Sequence, residues 1–240
     1  MNIFENSESA KLLAATEEGV GETAETDALR DIDRFDPDRP VGAMLPALTP
    51  GTRMSVDHGE VAVEYLRPGD LLRTKDNGLK EIRWIGERTI ETGELTAAPH
   101  LYPISIAAGA LGLDGPDQQI IVSPGQAVLY ASPQVELVLG TNEALVRSED
   151  LLGVPGVDRY EVAAVTYFFL MFDAHEIIRA NGLWMESFQP DLRCLEEESG
   201  ELFEGLFAVF PRLATLKGRT AYRAARVFAT AGEVKLLFAP

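Results

Sequence analysis

The stretch ALTPGTRMSVDHGEVAVEYLRPGDLLRT, residues 47–74, decides the fold. Thr49-Pro50-Gly51-Thr52 has the composition of a tight turn, because proline presets one backbone angle and glycine accepts the left-handed region. RMSV and VAVEYL, on either side of Asp57-His58-Gly59, read as short strands, and Pro68-Gly69-Asp70 turns the chain again. Toward the C-terminus, LLRTKDNGLKEIRWIGERTI supplies two more strands joined at Asp76-Asn77-Gly78, and Asn-Gly is a strong hairpin signal. LYPISIAAGAL, QQIIVSPGQAVLY and QVELVLG continue in the same style. EALVRSEDLLG is the first stretch with helical spacing, and AAVTYFFLMFDAHEIIRANGLWMESF reads as two strands turning at Ala180-Asn181-Gly182. The expectation is an all-β domain of many short strands over residues 41–190.

The two ends differ from this middle. Residues 1–40 hold eleven Asp/Glu against four Lys/Arg and few large apolar residues beyond Leu13. Such a stretch buries too little surface to offset its ordering entropy, so it reads as a disordered acidic leader with a short helix near residues 9–16. Residues 191–240 read as a helical extension: CLEEESGELFEGLFAVF and KGRTAYRAARVFATAGEVKLLF flank Pro211 and carry a basic patch of Lys217, Arg219, Arg223 and Arg226.

The formal net charge of −17 over 240 residues excludes nucleic acid as an expected partner, since a phosphate backbone needs a basic face. No apolar run approaches the roughly 18 residues of a membrane span. The N-terminus lacks a basic region followed by an apolar one, so the expected location is cytoplasmic, with leaderless secretion left open. One cysteine, Cys194, forms no internal disulfide framework. It and three dispersed histidines do not make a ligand set, so neither a metal nor a cofactor is expected. Asp114-Gly115-Pro116-Asp117 reads as a solvated turn rather than a calcium loop.

Several segments in order resemble one family, the Hint domains of hedgehog C-terminal regions and inteins, in their bacterial branch. Ala47-Leu48-Thr49-Pro50-Gly51-Thr52 is similar to the family opening Cys-Phe-Thr-Pro-Gly-Thr. GEVAVEYLRPGDLLRT (59–74) looks like the Gly-Glu-x-Pro-Val-Glu-x-Leu-x-x-Gly-Asp signature. IRWIG (82–86), PHLYPISIAAGALG (99–112), VSPGQAVL (122–129) and FDAHEIIRANGLWMESF (172–188) follow in the expected order. The resemblance implies a Hint fold and a self-directed acyl shift. In that reaction the first side chain attacks the preceding carbonyl while a Thr-x-x-His element protonates the leaving amide nitrogen.

Two positions depart from that pattern. Ala47 stands where the nucleophile belongs, and its methyl group attacks nothing. Ser123-Pro124-Gly125-Gln126 stands where Thr-x-x-His belongs, and glutamine accepts no proton near neutral pH. The reading is therefore a degenerate autoprocessing module, not an enzyme, that binds or scaffolds an unidentified protein partner. The alternative is active self-cleavage near Pro46-Ala47 by a nonstandard nucleophile. Thr49 is the candidate for that role, with His100 or His175 as base. Asp173 and His175, two apart on an expected strand, would point to one face and form an oriented pair.

Overall fold

The computed structural model describes residues 45–112, 115–189 and 205–239. The acidic leader, Asp114, Cys194 and the stretch CLEEESGELFE lie outside the described residues.

The chain forms the strands β1 (Arg53–Val56), β2 (Gly59–Ala62), β3 (Leu71–Thr74), β4 (Gly78–Glu81) and β5 (Trp84–Glu91). There follow helix α1 (Thr92–Ala97), β6 (Ile104–Ile106), β7 (Ile120–Val122), β8 (Ala127–Ala131), helix α2 (Pro133–Leu139), β9 (Glu143–Arg147) and β10 (Val157–Arg159). β11 (Ala164–Met171), β12 (Ile177–Ala180) and β13 (Leu183–Glu186) complete the β region. Three short helices come last, α3 (Leu206–Val209), α4 (Leu216–Thr220) and α5 (Ala231–Leu237).

Among the described residues, one sheet runs β2-β1-β3-β12-β13-β8-β9 with β4 added on β3; a second runs β10-β6-β7, and β5 pairs with β11. All these strand pairings are antiparallel. Leu48 bridges Val122 on one side and Phe168 on the other, so one residue stitches β7 to β11 and places Ala47 beside both. Leu48, Val122 and Phe168 join the larger core cluster, whereas Leu45 and Ala47 face a second cluster with Trp84, Phe169 and Phe188.

Turn chemistry explains the hairpins. Asn181 (φ 46°) and Gly182 (φ 79°) are both left-handed, as a two-residue primed turn requires, and the register Ala180↔Leu183 follows. Asn181 Oδ1 accepts the Arg53 N–H at 2.7 Å and its amide donates to Gln119 O at 2.9 Å, which ties this turn to β1 and to the approach of β7. The other Asn-Gly behaves differently: Thr74 pairs with Gly78 (φ 68°), leaving a three-residue loop whose Asn77 N–H bonds Thr74 Oγ1.

Two elements differ from the sequence expectation. QVELVLG is a helix, not a strand. Ser132 caps its N-terminus by accepting from Val135 N, Pro133 occupies the first turn, and Gly140 (φ 67°) ends it. Its apparent alternation of Val135, Leu137 and Leu139 breaks at Leu137, which is 85% exposed. EALVR, read as helical, is β9: it pairs with β8 from Ala127↔Arg147 to Ala131↔Glu143, and tertiary pairing overrides the local spacing.

The C-terminal segment is bound into the module. The Leu145 N–H donates to Val227 O and the Ala229 N–H to Leu145 O, both at 2.9 Å, so Phe228 forms a parallel bridge on the outer side of β9. α5 starts with a capping box, Thr230 and Glu233, and its Val234 and Leu237 enter the main core. KGRTAYRAARVFATAGEVKLLF is thus two short helices separated by an extended strap, residues 221–230, rather than one helical run.

Candidate functional site

The turn Ser123–Gln126 between β7 and β8 carries the centre of the site. Pro124 sits at its first corner and Gln126 N–H closes it on Ser123 O at 3.1 Å. Ser123 meets the Ala47 segment three times. Its N–H donates to Ala47 O at 3.0 Å, its hydroxyl accepts the Ala47 N–H at 2.9 Å, and that hydroxyl donates to Leu45 O at 2.7 Å. Leu45, Ala47, Ser123 and Gln126 are all at most 3% exposed, so the Pro46-Ala47 bond lies within a closed hydrogen-bonded frame. This frame can hold a peptide bond and polarise Leu45 O. Residue 47 itself brings no thiol or hydroxyl to that frame.

Gln126 faces inward. Its amide nitrogen donates to Glu186 O at 2.9 Å and Ala127 O at 3.2 Å, while its backbone carbonyl accepts from Ser148 N and Oγ. Glu186 Oε1 accepts the Ala127 N–H at 2.9 Å, and Oε2 lies 3.2 Å from His175 Nε2; both side chains are fully buried. His175 Nδ1 accepts the Ala225 N–H from the C-terminal strap at 2.9 Å. That fixes the tautomer: Nε2 carries the proton and donates to Ser187 O at 3.1 Å. Ser187 Oγ accepts the Glu176 N–H at 3.0 Å, and Glu176 Oε2 accepts from Asn77 at 2.8 Å.

The structure separates the residues that the sequence grouped. Asp173 and His175 lie in the turn between β11 and β12, not on a strand. Asp173 is exposed and pairs with Arg83 at 3.1 Å, whereas His175 turns into the core against Glu186. His100 is half-buried on a single 3-10 turn, Pro99–Leu101, whose Leu101 belongs to the cluster around Trp84. Thr49 Oγ1 donates to Ile121 O at 2.7 Å, and Thr49 O accepts the Thr52 hydroxyl at 2.8 Å, as turn residues do. Within the basic patch, Arg226 is held between Asp76 at 2.7 Å and Glu143 at 2.6 Å, and these carboxylates raise its pKa.

Sequence reasoning missed Glu186, Ser187 and Glu176. A signal was present in the hairpin about Asn181-Gly182. Counting outward from that turn pairs Ile177 with Glu186, and one step further sets Glu176 opposite Ser187. Two buried acids flanking a histidine mark a polar cluster rather than a strand end.

An antiparallel module whose first residues are threaded through a Ser-Pro-x-x turn defines a class. The Hint domain family matches residues 46–192, more than half of the chain, and the chain belongs to that family. Among solved structures it is similar to the MchDnaB-1 intein, at 13% identity over 59% of this chain and 99% of that one, with a TM-score of 0.36. The gp41-1 intein is similar at 12% identity over 58% and 97%, TM-score 0.35. A bacterial intein-like domain from Clostridium thermocellum is similar at 11% identity over 59% and 97%, TM-score 0.35. No curated protein matches the sequence. Among the described residues no group of His, Cys, Asp or Glu could hold a metal ion, and no helix is long and apolar enough to cross a membrane.

Proposed function

We propose that this Hint domain has lost the acyl shift and serves as a binding or scaffold module that keeps its N-terminal leader attached. The observation that carries the reading is the Ala47–Ser123 frame. The backbone of residue 47 is gripped at both its N–H and its carbonyl, while its side chain offers no lone pair. Gln126 adds support, since its amide donates to Glu186 O and Ala127 O and supplies no acid near neutral pH. Fold membership does not restore an activity whose reagents are absent.

Intact mass of the purified protein, fresh and after long incubation with dithiothreitol or hydroxylamine over roughly pH 6–9, tests this. The expected result is one stable full-length mass. A fragment starting at or near Ala47 overturns it, and Thr49→Ala, His100→Ala and His175→Ala then identify the group responsible.

A further inference from the structure

The C-terminal extension carries a basic surface of which the β module uses only part: Arg212 donates to Asp173 O, and Arg226 pairs with Asp76 and Glu143. In residues 205–239 six Lys/Arg stand against one acid, Glu233, in a protein of net charge −17. Arg212, Lys217 and Arg223 are exposed. Beside them, Phe207 and Val209 of α3 are 38% and 40% exposed. α3, the 3-10 turn Pro211–Ala214 and α4 pack on one another in succession, so these side chains belong to one small lobe. The lobe is fixed from beneath. Leu206, Phe210, Leu213 and Tyr222 are buried in the cluster that also holds Leu45 and Ala47.

That last contact decides the occupant. Leu45 is the point at which the described chain begins, and it shares a core cluster with the buried residues of the lobe, so the 44 residues before it are tethered at that cluster. Within them, ETDALRDIDRFDPD (residues 25–38) sets six acids against two arginines, with Leu29, Ile32 and Phe35 spaced three apart. From Asp38 to Leu45 an extended chain reaches about 23 Å, enough to lay this stretch over a neighbouring lobe. Acid meets base, and the interleaved apolar residues meet Phe207 and Val209.

We infer that residues 25–38 of the leader dock on the lobe formed by α3, the Pro211–Ala214 turn and α4, with their carboxylates on Arg212, Lys217 and Arg223. The leader is then an intramolecular occupant that holds this basic face against other acidic partners. The inference does not depend on the junction being uncleavable, because a leader attached by any route meets the same lobe.

Zero-length carbodiimide cross-linking of the full chain, read by peptide mass spectrometry, tests it. The chain has five lysines, Lys11, Lys75, Lys80, Lys217 and Lys235, which makes the map sparse. Carboxylates of residues 25–38 are expected to join Lys217 within the monomer, well above their joining to Lys75 or Lys80. About 0.5 M salt, which shortens the Debye length to a few ångströms, should lower that yield several-fold, and Arg223→Glu should do the same. Four results overturn the inference. They are equal joining to Lys75 and Lys80, joining of Lys217 to the acids of residues 191–204 in place of the leader, a Lys217 product found only in dimers, or a yield indifferent to both salt and Arg223→Glu.

Discussion

The Ala47 junction and the His175 hairpin are both buried polar clusters, joined through Gln126, yet they are made of opposite materials. At the junction every hydrogen bond runs through backbone groups and one serine hydroxyl, and nothing there titrates near neutral pH. At the hairpin a carboxylate and an imidazole sit side by side with no exposure, each engaged by backbone groups of other segments. A frame of backbone bonds stands without any reactive side chain at residue 47 because none of its bonds uses one. A buried polar group is kept only where its partners are kept, since leaving one unpaired costs about 1–3 kcal/mol. The titratable side chains sit where they hold structure, and residue 47 and the Ser123 turn carry none.

The comparison breaks most visibly if the missing reagents are put back. Ala47→Cys combined with Gln126→His should turn a stable chain into one that releases its leader under dithiothreitol, while either substitution alone should leave the intact mass unchanged. Release by Ala47→Cys alone would mean that the frame supplies its own proton donor. The next largest effect belongs to the hairpin. Glu186→Leu removes the acceptor of the Ala127 N–H and the carboxylate beside His175 Nε2, and should lower unfolding free energy by about 2–3 kcal/mol in denaturant titration. A loss under about 1 kcal/mol would show that the cluster does not depend on the Glu186 carboxylate.

Ser123→Ala sharpens the contrast from the other side. It leaves the buried Ala47 N–H without its acceptor and Leu45 O without its donor, for an expected loss of about 1–3 kcal/mol measured the same way. The smallest effect is at the rim of the hairpin, where the Tyr222 hydroxyl donates to Phe172 O. Tyr222→Phe should cost about 1 kcal/mol. Burial also pushes the phenols of Tyr222 and Tyr167 far above the ordinary tyrosine range. The folded state therefore prefers the neutral form, and the stability these residues give is intact below about pH 10 and lost as pH rises beyond it. Phenolate absorbance should show these two of the six tyrosines holding back until the protein unfolds. Gradual titration of all six in a folded protein would contradict that.

Much of this architecture is visible in the turns. Thr-Pro-Gly-Thr, the two Asn-Gly pairs and Pro-Gly-Asp punctuate the chain where the structure bends, and the order of the quoted segments is the order of the family. α2 alternates like a strand, but the Ser-Pro start and Gly stop that bracket it decide for a helix. β9 has helical spacing in its own sequence, and only its pairing with β8 across α2 makes it a strand. In the site, Ala47, Ser123 and Gln126 were legible from the family pattern alone. The His175 partner was not: pairing it with Asp173 assumed a strand, and the chain turns there, sending Asp173 to Arg83 and His175 inward to Glu186. Side-chain direction in a turn is set by what packs on it, and here that is a strap some fifty positions later in the chain.

The bridge of Phe228 to Leu145 has one more consequence. β9 ends the large sheet, and a terminal strand with free amides and carbonyls is a template on which another chain can add. Val227 and Ala229 occupy those groups on Leu145 from within the same molecule. The family match stops at residue 192, well short of them. A chain cut at that boundary would keep every residue of the Ser123 frame but lose its guard against self-association together with Leu206, Phe210, Leu213 and Tyr222, which share a core cluster with Leu45 and Ala47, so aggregation and a loosened junction would come together.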